Sequence, residues 1–295
     1  MDWLFSFPKM DDATLTALKK AIDEGFRTFT RAYGASIEAF FQPLQYFLIQ
    51  SERLMTQTPW PIVLLVIGLI AWFACRSWTI VAGCLVTLLL IGYFGMWDDT
   101  MKTISMIFVA TALSIAIGIP IGILMARSDR FQHSVNPILD VMQTLPSFVY
   151  LIPVVMLLGI GRVPGLIAVV IYALPPMVRL TNLGIRLVDK DVLEAADAFG
   201  SSNWQKLKNV QIPLAMPTIM AGINQTIMMA LAMVVIASMI GVQGLGQPVL
   251  KAISNQYFTL GIFNGMAIVG IAIIFDRVSQ AYGRRLQKHR VIAHA

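Results

Sequence analysis

A series of apolar runs, each about as long as the hydrocarbon of a bilayer is thick, constrains this chain more than any other feature. A helix crossing roughly 30 Å of hydrocarbon needs about 20 apolar residues, and inside that layer each backbone N–H and C=O must be paired within the chain. Such runs recur from about residue 60 to residue 280 of the 295. With 57% hydrophobic residues, 13% charged and a mean hydropathy of +0.72, the chain lies well outside the soluble range. The fold class is therefore an all-α integral membrane protein. About seven transmembrane helices are expected, at 61–76, 79–96, 101–126, 137–160, 163–187, 213–241 and 258–280. Only Arg76, Ser77 and Trp78 separate the first two, so a single kinked hairpin is the alternative there.

Basic residues set the expected orientation, because short loops rich in Lys and Arg stay in the cytoplasm. Seven spans place Arg76, Arg127, Arg130, Arg186, Lys190, Lys206, Lys208, Arg284, Arg285, Lys288 and Arg290 on one side. The loops on the opposite side hold only Lys102, Arg162 and Lys251, beside Asp98 and Asp99. The N-terminus is expected outside and the C-terminus in the cytoplasm. The same rule accounts for the net charge of +6 without nucleic acid, since no aromatic-interleaved basic patch is present. Cys75 and Cys84 lack ligand spacing and read as apolar filler, while His133, His289 and His294 are scattered, so no metal site is expected.

Three regions follow: an N-terminal extracytoplasmic arm at 1–58, a transmembrane domain at 59–283, and a basic cytoplasmic tail at 284–295. In the arm, Leu15, Leu18, Ile22, Phe26, Phe29, Tyr33, Ile37, Phe40, Leu44 and Phe47 recur at three- and four-residue steps. That is one face of an amphipathic helix, lying at the membrane surface or packed on the bundle, with Gly34 and Pro43 expected to divide it.

Between the fifth and sixth spans lies a polar insert, EAADAFGSSNWQKLKNVQIP, at 194–213. Asp189 or Asp191 can cap a helix that Glu194, Ala195, Ala196 and Ala198 favour and Gly200 stops. A second helix, 203–210, is expected to end near Pro213. The paired alanines leave a low surface for another protein to approach, and Glu194 offers it a carboxylate. The Glu-Ala-Ala, the glycine six residues later and the ending Val210-x-Ile212-Pro213 resemble the EAA loop of ABC importer permeases.

The segments at 140–161, 173–185 and 213–241 extend the likeness to the permease subunits of glycine betaine/proline-type ABC importers, choline-transporting relatives included. Membership would imply a type I importer permease fold, with Glu194, Ala195, Ala196, Gly200, Val210, Ile212 and Pro213 in a loop (188–213) that couples to an ATPase. It would also imply two copies of that ATPase, an external substrate-binding protein and a second permease copy, in the inner membrane of a bacterium. ATP and Mg would sit on the ATPase, because this chain has no phosphate-binding loop and no cofactor of its own is expected. The expected function is ATP-driven, alternating-access import of glycine betaine, choline, proline betaine or proline. The alternatives are a methionine-type or other small-molecule importer permease, or an ATP-independent osmotic channel.

Polar residues within spans take a functional reading by default. Asp140 and Arg179, at similar expected depth, form a candidate intramembrane ion pair, read first as structural and second as a gate. Gln143, Thr144, Asn224 and Gln225 are candidates for a translocation pathway, with Phe148 and Tyr150 offering cation–π contacts to a quaternary ammonium substrate. Asp140 is read as the only deeply placed acid of the core spans, which argues against an ion-driven transporter. No cluster of nucleophile, base or metal ligand points to an enzyme.

Overall fold

The computed structural model describes residues 9–291, with side chains through 285. Every regular element among the described residues is helical. Helix α1 (Asp12–Gln57) starts where the Asp11 carboxylate accepts from the Ala13 N–H, and it runs 46 residues through Gly34 and Pro43 unbroken. The expected division there is corrected. Pro43 removes one helical hydrogen bond, but Leu44 and Leu48 just beyond it are anchored in the main core. At Gly34 the missing side chain lets the Leu157 carbonyl of a later helix come close.

The apolar stripe of α1 is also split. Phe26, Ile37 and Leu44 turn inward with buried Leu48, while Phe29, Tyr33, Phe40 and Phe47 are exposed. Aromatics at adjacent positions, such as Phe40 and Phe41, spread the apolar surface wider than one face can bury. The chain bends 108° after α1, at the extended Thr58 that Pro59 enforces.

Helices α2 (Trp60–Cys75) and α3 (Trp78–Tyr93) are separate and packed together, with Arg76 in the left-handed region at φ 51° and its guanidinium 4.6 Å from the Trp72 ring centroid. Then come α4 (Trp97–Arg127), α5 (Asp129–Thr144), a 3-10 turn (Ser147–Tyr150), α6 (Leu151–Leu158) and α7 (Arg162–Arg186). The remainder is α8 (Lys190–Ala198), α9 (Asn203–Lys206), a π-helical segment (Leu207–Gln211), α10 (Ile212–Ala237), α11 (Gly246–Asn255) and α12 (Phe258–Val291).

Among the described residues, four helices are long and apolar enough to cross a membrane: α4, α7, the run Asn203–Ile240, and α12. The number rises to six if each of two bent pairs, α1 with α2 and α5 with the segment Ser147–Leu158, counts as one. The expected span 137–160 is therefore not a straight helix. Its halves meet at 109°, because Pro146 holds Leu145 extended at ψ 133°.

The bundle is built on α4, α7 and α10. Glycines let these helices approach closely, as is usual in membranes where lipid offers no hydrophobic drive. A Cβ on Gly122 of α4 would lie 2.5 Å from the Thr181 Cβ of α7, and one on Gly184 of α7 would lie 2.9 Å from the Thr218 Cβ of α10. Leu166, Met177 and Met233 are wholly buried between them.

Opposite ends of the bundle are chemically distinct. At one end Gly165 meets Val242 and Gly244 meets Thr103, bringing together the start of α4, the start of α7 and the turn after α10. At the other lie the α4–α5 turn, the end of α7 and α8, with Arg127, Arg130, Arg186, Lys190 and Lys206. Of the expected tail, residues 292–295 lie outside the described residues, as do residues 1–8 of the arm.

Candidate functional site

The loop 188–213 folds as a helical hairpin fixed at each joint. The Asp189 Oδ1 accepts from the Asp191 N–H at 3.0 Å and starts α8. Gly200, at φ +76°, ends it, and the Ser201 N–H reaches back to the Ala196 carbonyl at 3.0 Å. Ser202 then opens α9 with a capping box: its Oγ accepts from the Gln205 N–H, and the Gln205 Oε1 accepts from the Ser202 N–H. Lys206 Nζ clasps both Asp197 oxygens, at 2.6 and 2.7 Å, and locks α9 to α8.

The second helix does not end near Pro213, which is a correction. Chain from Asn203 to Ile240 is one helical run, because the π-helical segment absorbs the proline. There the Ile212 N–H donates to the Leu207 carbonyl five residues back, a register shift placed immediately before the residue that has no N–H to give. Leu207 is 1% exposed and seats this joint among Met177, Ile185, Ala215 and Ile219. Sequence reading passed over Leu207; its isolation as an aliphatic between Lys206 and Lys208 was the available signal.

Glu194 and Ala195 are exposed, Ala196 is half-buried, and Gly200 and Pro213 are exposed, with Val210 and Ile212 half-buried. Around Glu194 and the alanines the hairpin also exposes Leu187, Val192, Phe199 and Trp204, Phe199 to 92%. A carboxylate with large apolar neighbours on a rigid tip is the chemistry of a docking surface. At the root of the hairpin, Arg186 ties the end of α7 to the α4–α5 turn, donating to the Met125 carbonyl at 2.8 Å, to Asp129 Oδ1 at 2.6 Å and to Asn182 Oδ1 at 3.0 Å.

Asp140 and Arg179 meet, with Oδ1 and Nη2 2.5 Å apart, although both side chains stay partly accessible. The Arg179 Nε, by contrast, is buried without a partner among the described residues. Gln143, Thr144 and Phe148 are exposed on either side of the break at Pro146. Tyr150 is not: it is 7% exposed, its hydroxyl donates to the Met142 carbonyl across the break, and its ring meets Tyr172 edge-on. Tyr150 is thus a brace of the bend rather than a wall of an open path.

Gln225 is exposed, whereas Asn224 belongs to a network the sequence reading missed. Its Nδ2 donates to Asp276 Oδ1 on α12 at 3.0 Å, Gln280 Nε2 donates to the same oxygen at 2.6 Å, and Ser279 Oγ donates to Asn224 Oδ1 at 2.5 Å. Asp276 lies inside the expected span 258–280, so Asp140 is not the only acid of the core spans, which is a further correction. A window averaged for hydropathy hides one acid near its end. Among the described residues no group of three or more His, Cys, Asp or Glu is placed to hold a metal ion.

The sequence signature of the family described as "Binding-protein-dependent transport system inner membrane component" matches residues 118–288. The glycine betaine/proline betaine transport system permease protein ProW of Escherichia coli (strain K12) is 45% identical over 293 residues, 96% of this chain and 82% of that one. The glycine betaine/carnitine transport permease protein GbuB of Listeria monocytogenes serotype 1/2a (strain 10403S) is 47% identical over 229 residues, 77% of this chain and 81% of that one. The glycine betaine transport system permease protein OpuAB of Bacillus subtilis (strain 168) is 40% identical, with 92% and 96% covered. Among solved structures, an inward-facing MetNI methionine ABC transporter is similar in fold, with a TM-score of 0.58 at 19% identity over 63% of this chain and 93% of that one.

Proposed function

The chain belongs to the family of binding-protein-dependent transport system inner membrane components, and from that premise we propose that it is the channel of an ATP-driven importer for quaternary ammonium compatible solutes. Membership makes it a multi-pass inner-membrane permease rather than an enzyme, working with an ATPase and a substrate-binding protein. The substrate class rests on relatives at 40–47% identity whose names all contain glycine betaine. The methionine importer is similar in fold alone and does not favour methionine.

The hairpin carries the mechanistic reading. Its exposed Glu194, Ala195 and Phe199 would seat in an ATPase groove, with ATP and Mg on that partner. Two permease copies around one path and two ATPase copies are the simplest assembly. Basic residues at the hairpin end support a cytoplasmic position for that end. Binding protein would dock on the far side, ATP would draw the two hairpins together and open the bundle outward, and hydrolysis would reset it. Gln143, Thr144, Phe148 and Gln225, all exposed, would line the path. The Asp140–Arg179 pair, with its partly accessible carboxylate and unsatisfied Nε, would open and close as a gate.

Reconstituted importer carrying Glu194→Ala or Ala195→Trp tests the hairpin. Uptake of glycine betaine should fall at least about tenfold while membrane insertion holds; full uptake in both variants would overturn the assignment. Competition by glycine betaine, carnitine, choline, proline and methionine against labelled glycine betaine tests the substrate class. Asp140→Asn should assemble normally and lose transport; failed assembly would make the pair structural.

A further inference from the structure

At the end of the bundle opposite the hairpin, a cavity of about 360 Å³ lies between the end of α3, the start of α4, α11 and the start of α12. Phe94, Asp99, Thr259, Phe263 and Asn264 are among its lining residues. Its polar groups include two free acceptors. Asp99 has one oxygen 3.5 Å from Lys102 Nζ, at the limit of a hydrogen bond, and its other oxygen has no partner among the described residues. Asn264 is only 4% exposed, spends an amide hydrogen on the Leu260 carbonyl at 2.9 Å, and leaves its Oδ1 without a partner among the described residues. Among the described residues no Lys, Arg or His lines the cavity.

Beside these acceptors Phe94 and Phe263 stack at 5.1 Å between centroids and 19° between planes. At that separation nothing fits between the rings, so they present outer faces, each carrying the negative side of its quadrupole. An amide oxygen without a partner among the described residues, a carboxylate with a free oxygen and two aromatic faces attract a cation. A small hard metal ion wants six or more oxygen ligands and finds too few here. A large, weakly hydrated ammonium suits aromatic faces and one carboxylate. The volume, at the small end of ligand pockets, fits a headgroup.

We propose that this cavity is a binding site for an alkylammonium group, held over Phe94 or Phe263 with Asp99 and the Asn264 carbonyl as its polar partners. The group could come from a free quaternary ammonium solute, a source that rests on the function proposed above. The other source is the ammonium headgroup of a zwitterionic phospholipid, since the cavity opens where α4 and α12, both long enough to cross a membrane, begin.

The test uses the complete permease–ATPase complex in nanodiscs, without binding protein, and radiolabelled tetramethylammonium as the probe. In discs of phosphatidylglycerol alone, saturable binding should weaken about tenfold in both Asp99→Asn and Phe263→Leu. Phe263→Leu keeps an apolar side chain and decides the matter if Asp99→Asn does not assemble. If phosphatidylethanolamine in the discs competes the probe away, and the wild type but not the variants retains that lipid by native mass spectrometry, the source is lipid. Binding insensitive to the lipid makes the source a solute. Probe and lipid retention that are both absent, or both indifferent to the two substitutions, overturn the site. Uptake of glycine betaine by wild-type complex with binding protein and ATP is measured in parallel. Its failure would sink the proposed function while tetramethylammonium still judges the cavity.

Discussion

Replacing Gly122 by Ala should drive α4 and α7 apart at the tightest contact between them. A Cβ there would lie 2.5 Å from the Thr181 Cβ, 2.8 Å from its Cγ2 and 2.8 Å from the Val178 carbonyl oxygen. Ordinary contact begins at 3.4 Å, so the helices must separate locally by about 0.9 Å. Neither a Cβ nor a backbone oxygen can swing away as a side-chain tip would. Overpacking of this kind costs about 1–3 kcal/mol, but any Gly to Ala change inside a helix also gains about 0.5–1 kcal/mol of propensity. Gly83 in α3 isolates that gain, because a Cβ there would meet nothing within 4 Å. Measured against Gly83→Ala, the propensity gain cancels, and Gly122→Ala should be less stable by about 1–3 kcal/mol, roughly 5- to 150-fold in the unfolding equilibrium. Reversible unfolding in mixed micelles, titrated with denaturing detergent, reads the difference. Two variants of equal stability would refute the reasoning, since the close approach of α4 to α7 would then carry no energetic weight.

Asp276→Ala removes the acceptor shared by Asn224 and Gln280 and should destabilise the protein by about 1–3 kcal/mol, read as a fall in Tm, with Asp276→Asn recovering part of it. Arg186→Gln breaks the ties to Asp129 and the Met125 carbonyl, so co-purification with the ATPase should drop more than the Tm of the permease; an unchanged yield of complex would separate the hairpin root from docking. Tyr150→Phe loses the bond to the Met142 carbonyl and should cost about 1 kcal/mol of stability, checked by thermal unfolding.

Features fixed within a few residues were legible in the sequence. The start of α8 at Asp189 and its stop at Gly200 follow from side chains that act on their own backbone, and both stand where the residue types place them. Apolar length likewise marked α4, α7, α10 and α12. Long-range effects were harder to read. Pro146 keeps Leu145 extended, and the 109° break is braced by Tyr150 reaching back to the Met142 carbonyl, a contact across eight residues that apolar length does not announce. Pro213 signalled a helix boundary, and the π register shift beside it, which needs Leu207 seated in a distant cluster, overrode that signal. Asp276 was hidden because its partners are Asn224, 52 residues earlier, and Gln280, one turn on. In α1 the period was visible, yet the face that turns inward was decided by what α4 and α6 offer it.

The unbroken run Asn203–Ile240 has a mechanical consequence. Its 38 residues make a stiff beam about 57 Å long at 1.5 Å per residue. The beam is pinched where Thr218 and Ala215 close on Gly184, about 22 Å from the hairpin end and about 33 Å from the other. A fulcrum so placed gives unequal arms. Displacing the hairpin end by 4 Å would swing the far end, beside Gly161 and Gly165, by about 6 Å. Amplification of that kind needs no intermediate joint, and the compliant points along the beam are the π turn at Leu207–Gln211 and Pro217 beside the pinch. Stiffness at those two points therefore sets how much of the stroke arrives.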